Sequence, residues 1–343
     1  MKSFSIDELN KFTTSLLVSK KIPQVNAEYI AEMAVRTEAM GILTHGLAVL
    51  GYLDNQVPDV FDPGTEPEII KEKGASVLID GKNGFSQLAM KLAIEMAMDK
   101  AGTMGIAMAA IRNTSWLGAL GPYLESIARA GFMAQLWGQS SQCADCAPIG
   151  GITGKFSTNP VALAFPTSGD PVIADISTAT VSMGAVNRMV RYDEKARARI
   201  FMDKNGLPTD DPNAMLDDGS IFFLGGPEYA HKGYGFSLWA EALTAMSGGS
   251  ANNPDLPQSQ NLNLTIIDIE AFGGMNYFDS EIVRFITHIK DTRLRPGFDA
   301  IRLPGERAFK SLKDSLQHGL SLSDAKLEML NRMARKNGVS ELK

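Results

Sequence analysis

Apolar positions recur three and four residues apart from the start of the chain. Leu9, Phe12 and Leu16 fall on one face behind Ser5 and Glu8, which have the spacing of a capping box, so the pattern predicts an amphipathic helix that Pro23 ends. Asn26 reads as the cap of a second helix, with Ile30, Met33, Ala34 and Thr37 on one side. Beyond residue 72 the period changes. Ser76 to Ile79 reads as a strand running into an Asp80-Gly81 turn, and a long helical pattern follows from Gln87 to Lys100. Ile106–Ile111 reads as a buried strand, Leu117–Ala130 as a helix, and Phe132–Trp137, Pro160–Phe165 and Pro171–Ile176 as further strands. A helical pattern over 232–246 carries Leu238, Ala242 and Ala245; Leu264–Ile269 is a strand, and Ser323 caps a last helix in which Leu327, Leu330 and Met333 share a face. Between them Gly248–Asn263, rich in Gly, Ser, Asn, Pro and Gln, reads as a long loop, either a solvated connection or a lid or subunit contact.

Helical ends around an α/β middle predict an α/β (α+β) protein of two domains. Residues 1–72 and 290–343 would pack together into a mostly helical domain, and 73–289 would form an α/β sheet domain. The 343 residues, 44% of them hydrophobic, are enough for a sizeable core. A net charge of −6 without a basic stripe argues against a nucleic-acid partner and leaves a small molecule as the expected one. No apolar run approaches the roughly 20 residues that cross a bilayer, and no signal peptide is read at the start, so a cytoplasmic protein is expected. Cys143 and Cys146 make a single Cys-x-x-Cys. None of the four histidines lies near it, and the following Ala147-Pro148-Ile149-Gly150-Gly151 reads as loop, so reduced structural thiols are expected, with no metal.

The candidate chemistry begins at Thr44-His45-Gly46. Thr44 reads as an N-cap, which would put His45 in the first turn of a helix, where free N–H groups disfavour an imidazolium. A neutral histidine there suits proton exchange; the alternative is an ordinary capping or surface histidine. Further along stand Lys155-Phe156-Ser157-Thr158-Asn159-Pro160, Val172-Ile173-Ala174-Asp175-Ile176-Ser177-Thr178, Leu224-Gly225-Gly226 with His231-Lys232-Gly233-Tyr234-Gly235-Phe236, and Arg302-Leu303-Pro304-Gly305-Glu306. In this order and at these spacings, with His45-Gly46 ahead of them, the chain resembles the malate/L-lactate dehydrogenase-like oxidoreductases, from its first helix to about Gly338.

No Gly-x-Gly-x-x-Gly follows a strand, and Gly150-Gly151-Ile152-Thr153-Gly154-Lys155 is one residue short of a phosphate loop, with Phe156 where a magnesium-binding hydroxyl should stand. A nicotinamide cofactor, NAD or NADP on a fold distinct from Rossmann, is therefore what the resemblance implies. It also implies the contacts: Ser140, Thr158, Asn159, Asp175, Ile176, Ser177, Lys232, Pro304, Gly305 and Glu306. Asp175 ends a strand where a carboxylate could accept ribose hydroxyls or cap the chain, and Lys232 at a helix start could meet a phosphate or water. Thr158-Asn159-Pro160 orders a turn or lines the nicotinamide pocket, both readings standing equal.

By the same resemblance His45 is the acid/base, with Thr44 keeping a hydroxyl beside it, and the enzyme moves a hydride at the carbonyl or hydroxyl carbon of a small 2-oxo or 2-hydroxy acid, as a homodimer. The chain departs from the family at three places. Val49 stands where an arginine usually grips the substrate carboxylate, Trp116 replaces a second histidine, and Leu53 takes the place of a tyrosine that here precedes it as Tyr52. Val49, Tyr52 and Trp116 thus define a reshaped substrate pocket, with Arg36, Arg112 or Arg188 as substitutes for the missing cation. A cyclic imine-carboxylate reductase, and a cofactor-binding relative without turnover, are the alternatives. The first is weakened by Ala185, near which an aspartate would be expected.

Overall fold

Alternation in Val77 and Ile79 and the apolar run from Ile106 build the middle of a seven-stranded sheet in the computed structural model, which describes residues 2–57 and 61–343. The strands lie in the order Glu68–Lys73, Ser76–Gly84, Ile106–Thr114, Gln260–Asp268, Phe132–Ser140, Val161–Phe165 and Val172–Ile176. Ser76–Gly84 and Ile106–Thr114 run parallel and all other neighbours antiparallel. The helix Ser86–Met104 packs on this sheet through Ala89, Ala93, Ala97 and Ala101, a stripe of small side chains four apart that lets the helix lie close. The sheet begins at Glu68, ahead of residue 73, because Ile69 pairs with Ile79.

Both chain ends share a second apolar cluster. Phe4, Leu9, Leu16, Ile30, Leu50, Leu330 and Leu342 are buried in it, from helices Ile6–Ser19, Gln24–Ala39, Ala48–Gln56 and Asp324–Lys336, and the strand Lys2–Phe4 pairs with Leu320–Leu322. Ser5 and Ser323 cap their helices through Glu8 N and Lys326 N. Asn26 does not cap. The helix starts one turn earlier behind Pro23, whose fixed φ suits that position, and the Asn26 amide donates to Glu66 instead.

Two regions depart from the sequence pattern. Residues 183–223 form a third unit, a helix Met183–Arg191 and a small sheet of Ser220–Ile221, Phe201–Met202 and Pro208–Thr209 around Cys146, Val186, Met189, Phe201 and Phe223. Strands of two residues are too short to show a period. The expected loop Gly248–Asn263 ends earlier, because Gln260–Asn263 already belong to the sheet's central strand. Their side chains are buried, and the amides of two are bonded: Asn261 to Gln139 and to the Asn113 amide, Gln260 to the Leu117 amide.

Candidate functional site

Gly41, at φ +78°, ends the helix Gln24–Ala39, and the chain crosses a short turn before Ala48–Gln56 begins. Leu47 stands at the cap, so Thr44 is not an N-cap and His45 lies ahead of the helix. Instead the Thr44 hydroxyl lies 2.7 Å from His45 Nδ1. This tie leaves Nε2 as the nitrogen free to exchange a proton. The imidazole's pKa is lowered, as the sequence suggested, but the cause is burial and not a helix end.

What holds this turn comes from far away in sequence. Glu38, buried, accepts from the Leu47 amide at 2.9 Å and pairs with Lys326 of the last helix; Lys326 also donates to the Leu43 carbonyl at 2.7 Å. Burial pushes the Glu38 carboxyl above its ordinary range despite the lysine and the amide. Gly46 is required by closeness: a Cβ there would stand 2.5 Å from Glu38 N. On the chain's other side Gly118, at φ +94°, lies so near that a Cβ would be 2.8 Å from the His45 carbonyl.

The walls around His45 are apolar and aromatic. The Trp116 ring is 5.4 Å from the imidazole and tilted 56°, and the Tyr52 ring is 5.8 Å from Trp116 edge-on. Tyr52, not Leu53, takes the pocket side of the helix. Leu53 is buried in the core of the chain ends, as is Val49. Burial raises the Tyr52 phenol pKa. Each arginine considered as a substitute has a carboxylate partner: Arg36 with Glu125, Arg112 with Asp80 and Arg188 with Glu194.

The residues implied as cofactor contacts lie along one end of the sheet. The Pro304 carbonyl accepts from Ile173 N, docking the 304–306 turn on the edge strand that ends in Asp175 and Ile176. Ser177 and Thr178 hydroxyls donate to the Thr158 carbonyl, and Ser157 Oγ accepts from Ser140 N. The Leu224 amide donates to the Thr178 carbonyl, which brings up the start of helix His231–Met246 and Lys232. Trp116 and Gly118 touch the His45 turn while Leu120 and Gly121, a few residues on, donate to Asp175 Oδ2 at 3.0 and 2.7 Å, so one loop joins both halves of the site. Asp175 therefore caps the helix Gly121–Arg129. Asn159, fully buried at φ +33°, spends its amide on Ser157, Ser237 and Glu241, which makes it a holder of the turn. Glu306 accepts from Leu303 N and pairs with Lys290. Lys232 Nζ sits 5.2 Å over the Tyr229 ring with no carboxylate partner among the described residues.

Residues 4–331 match the family described as malate/L-lactate dehydrogenase. The chain belongs to that family. It is 29% identical to a malate dehydrogenase of Pyrococcus abyssi over 98% of this chain and 95% of that one, and 31% identical to a Delta(1)-pyrroline-2-carboxylate/Delta(1)-piperideine-2-carboxylate reductase of Pseudomonas syringae over 91% and 90%. The solved structure of malate dehydrogenase from Pyrococcus horikoshii superposes with a TM-score of 0.89 at 28% identity, covering 99% of this chain and 97% of that one. Membership of the malate/L-lactate dehydrogenase family makes this chain an oxidoreductase of the CH–OH group.

Sequence reasoning missed the supports of this candidate site. Glu241, half-buried, accepts from Asn159, Gln139 and the Asn252 amide, and Asn252 in turn donates to the carbonyls of Cys143 and Lys155. The thiols sit in that same locked loop. Burial, with Asp145 beside it, pushes the Cys143 thiol up to about 12, and Cys146 is in the core of the small sheet, so neither is a ready nucleophile. The signal available beforehand was the Asn-Leu-Asn alternation at 261–263, which a buried strand explains better than a loop. Among the described residues no group of side chains could hold a metal ion, and no helix is long and apolar enough to cross a membrane.

Proposed function

We propose that this chain is an NAD(P)-dependent oxidoreductase that transfers hydride at the carbonyl or hydroxyl carbon of a small 2-oxo or 2-hydroxy acid, with His45 as its acid/base. The observation that carries the reading is the Thr44–His45 pair inside a desolvated aromatic pocket. The residues at the sheet end suit a nicotinamide dinucleotide: Lys232 is an exposed cation without a carboxylate partner among the described residues, Asp175 keeps one carboxylate oxygen outside its two amide bonds, and Gly305 at φ +94° brings backbone close without a side chain. When bound, the nicotinamide supplies or accepts the hydride. The protein's own part is to hold a proton at His45 Nε2 for the substrate oxygen, to fix the ring through Thr44, and to exclude water with Trp116 and Tyr52. His45→Ala should lower kcat by about 10²- to 10⁴-fold in assays with NADH and NADPH, as expected for a lost acid/base group. Full turnover in that variant ends the reading.

The similarity to the Pseudomonas syringae reductase supports a second reading, reduction of a cyclic imine carboxylate. Ala185, with no acid to meet the imine nitrogen, counts against it, and rates on both substrate classes separate the two. One robust turnover on either would exclude a relative that binds cofactor without catalysis.

The enzyme would act as a homodimer in the cytoplasm, where the free thiols of Cys143 and Cys146 would stay reduced. Support for the dimer lies in unspent apolar surface. Helix Met275–Lys290 buries none of its residues although it carries Tyr277, Val283 and Phe285, and helix His231–Met246 exposes Phe236, Leu238, Trp239 and Met246. Light scattering that reads the mass of one chain at working concentration would contradict this.

A further inference from the structure

The side chains seen at His45 (Thr44 at its Nδ1 and Trp116 against its ring, with Tyr52 edge-on to Trp116) include no cation, yet a 2-oxo acid presents a carboxylate next to the reacting carbon. The element that closes the site from the other side is the helix Met183–Arg191. A Cβ on Gly184 would stand 3.0 Å from Thr44 Cβ and 3.3 Å from His45 Cε1, so the face that Gly184 marks looks at the catalytic pair. Val186 and Met189 are buried in the small sheet's core, on the opposite face at 3.6 residues per turn. Arg188 follows Gly184 by four residues and shares its face. Helical side chains lean toward the helix start, so Arg188's natural course runs back over Gly184, where the missing side chain leaves room. The separation along the axis is about 6 Å, within the length of an extended arginine. Its present partner, Glu194 at 2.7 Å, is a weak hold, since both side chains are about half exposed. The first turn of the same helix, capped by Ser182, adds its positive end.

We propose that Arg188 is the carboxylate clamp of this enzyme, leaving Glu194 to grip the substrate in place of the cation that Val49 cannot supply. The proposal rests on the 2-oxo acid reading above, and the tests separate the two. Arg188→Met should raise KM for a 2-oxo acid by roughly 10- to 100-fold with kcat little changed, the loss expected for a charge-assisted hydrogen-bonded pair, and Arg188→Lys should recover part of it. The neutral 2-oxo amide of the same skeleton should show no such change, and Arg191→Met, one turn farther along the face, should leave the acid's KM near wild type. An unchanged preference for acid over amide in Arg188→Met, or a larger loss in Arg191→Met, overturns the clamp. Should wild-type enzyme turn over no 2-oxo acid, the functional reading fails on its own, and calorimetry with oxamate in the presence of reduced nucleotide still decides the clamp. Binding by wild type that disappears in Arg188→Met sustains it; equal binding, or none by wild type, overturns it.

Discussion

The turn that carries His45 and the helix that faces it are held to different degrees. On one side Glu38, Lys326, the Leu47 amide and the Leu43 carbonyl form a buried, fully bonded clamp, and Gly46 and Gly118 permit backbone approaches that no side chain would allow. On the other, Arg188 and Glu194 meet in water at the end of a helix. Both are ion pairs. A buried pair cannot be broken cheaply, because each charge left behind has lost its water, whereas an exposed pair exchanges partners at little cost. The proposed acid/base is therefore fixed while the proposed substrate grip stays movable, a division that suits a proton transfer needing one geometry and a pocket needing to open and close.

The comparison breaks most visibly at Lys326. Lys326→Met leaves Glu38 buried beside an alkyl chain and should destabilise the protein by about 3–5 kcal/mol, the usual range for orphaning one partner of a buried pair. Chemical denaturation measures it. The double variant Glu38→Gln with Lys326→Met should regain much of that loss, since no unpaired charge remains, and a double variant as unstable as the single one would refute the clamp.

A smaller effect tests the pocket's dryness. If His45 is the acid/base, oxidation of a hydroxy acid needs its base form, so kcat/KM should fall as pH drops through the imidazole pKa. Burial lowers that pKa, and the acid limb should lie below the ordinary histidine value of about 6.5. Trp116→Ala admits water to the ring and should move the limb upward, toward that value. A limb that stays in place would assign the shift to something other than the aromatic wall.

How much of this was legible beforehand follows the range over which each feature is decided. Local periodicity located the long helix on the sheet and the strands from Ile106 to Ile176, and the Thr44-His45-Gly46 triplet located the turn, because capping, alternation and glycine placement are local. The Glu38–Lys326 clamp was hidden since its partners are 288 positions apart. Which amides Asp175 would cap was hidden, because nothing near it in sequence reveals Leu120 and Gly121. Gln260 and Asn261 read as loop because polar composition is a surface signal until their partners are known. Tyr52 already read as the pocket residue in place of Leu53, whereas the helix start was misplaced at Thr44, because the true cap, Leu47, has no polar side chain to mark it.

The smallest expected effect falls on the exposed pair. Glu194→Gln removes the charge that holds Arg188 without touching any buried group, so stability should change by no more than about 1 kcal/mol, within the range of surface ion pairs. If Arg188 is the clamp, the same variant frees the guanidinium for substrate, and KM for a 2-oxo acid should fall or stay level while Arg188→Met raises it. Opposite responses to removing the two ends of one salt bridge are what a donor in transit between partners requires. A structural bridge would respond alike to the loss of either end, and equal rises in KM from Glu194→Gln and Arg188→Met would return Arg188 to that simpler role.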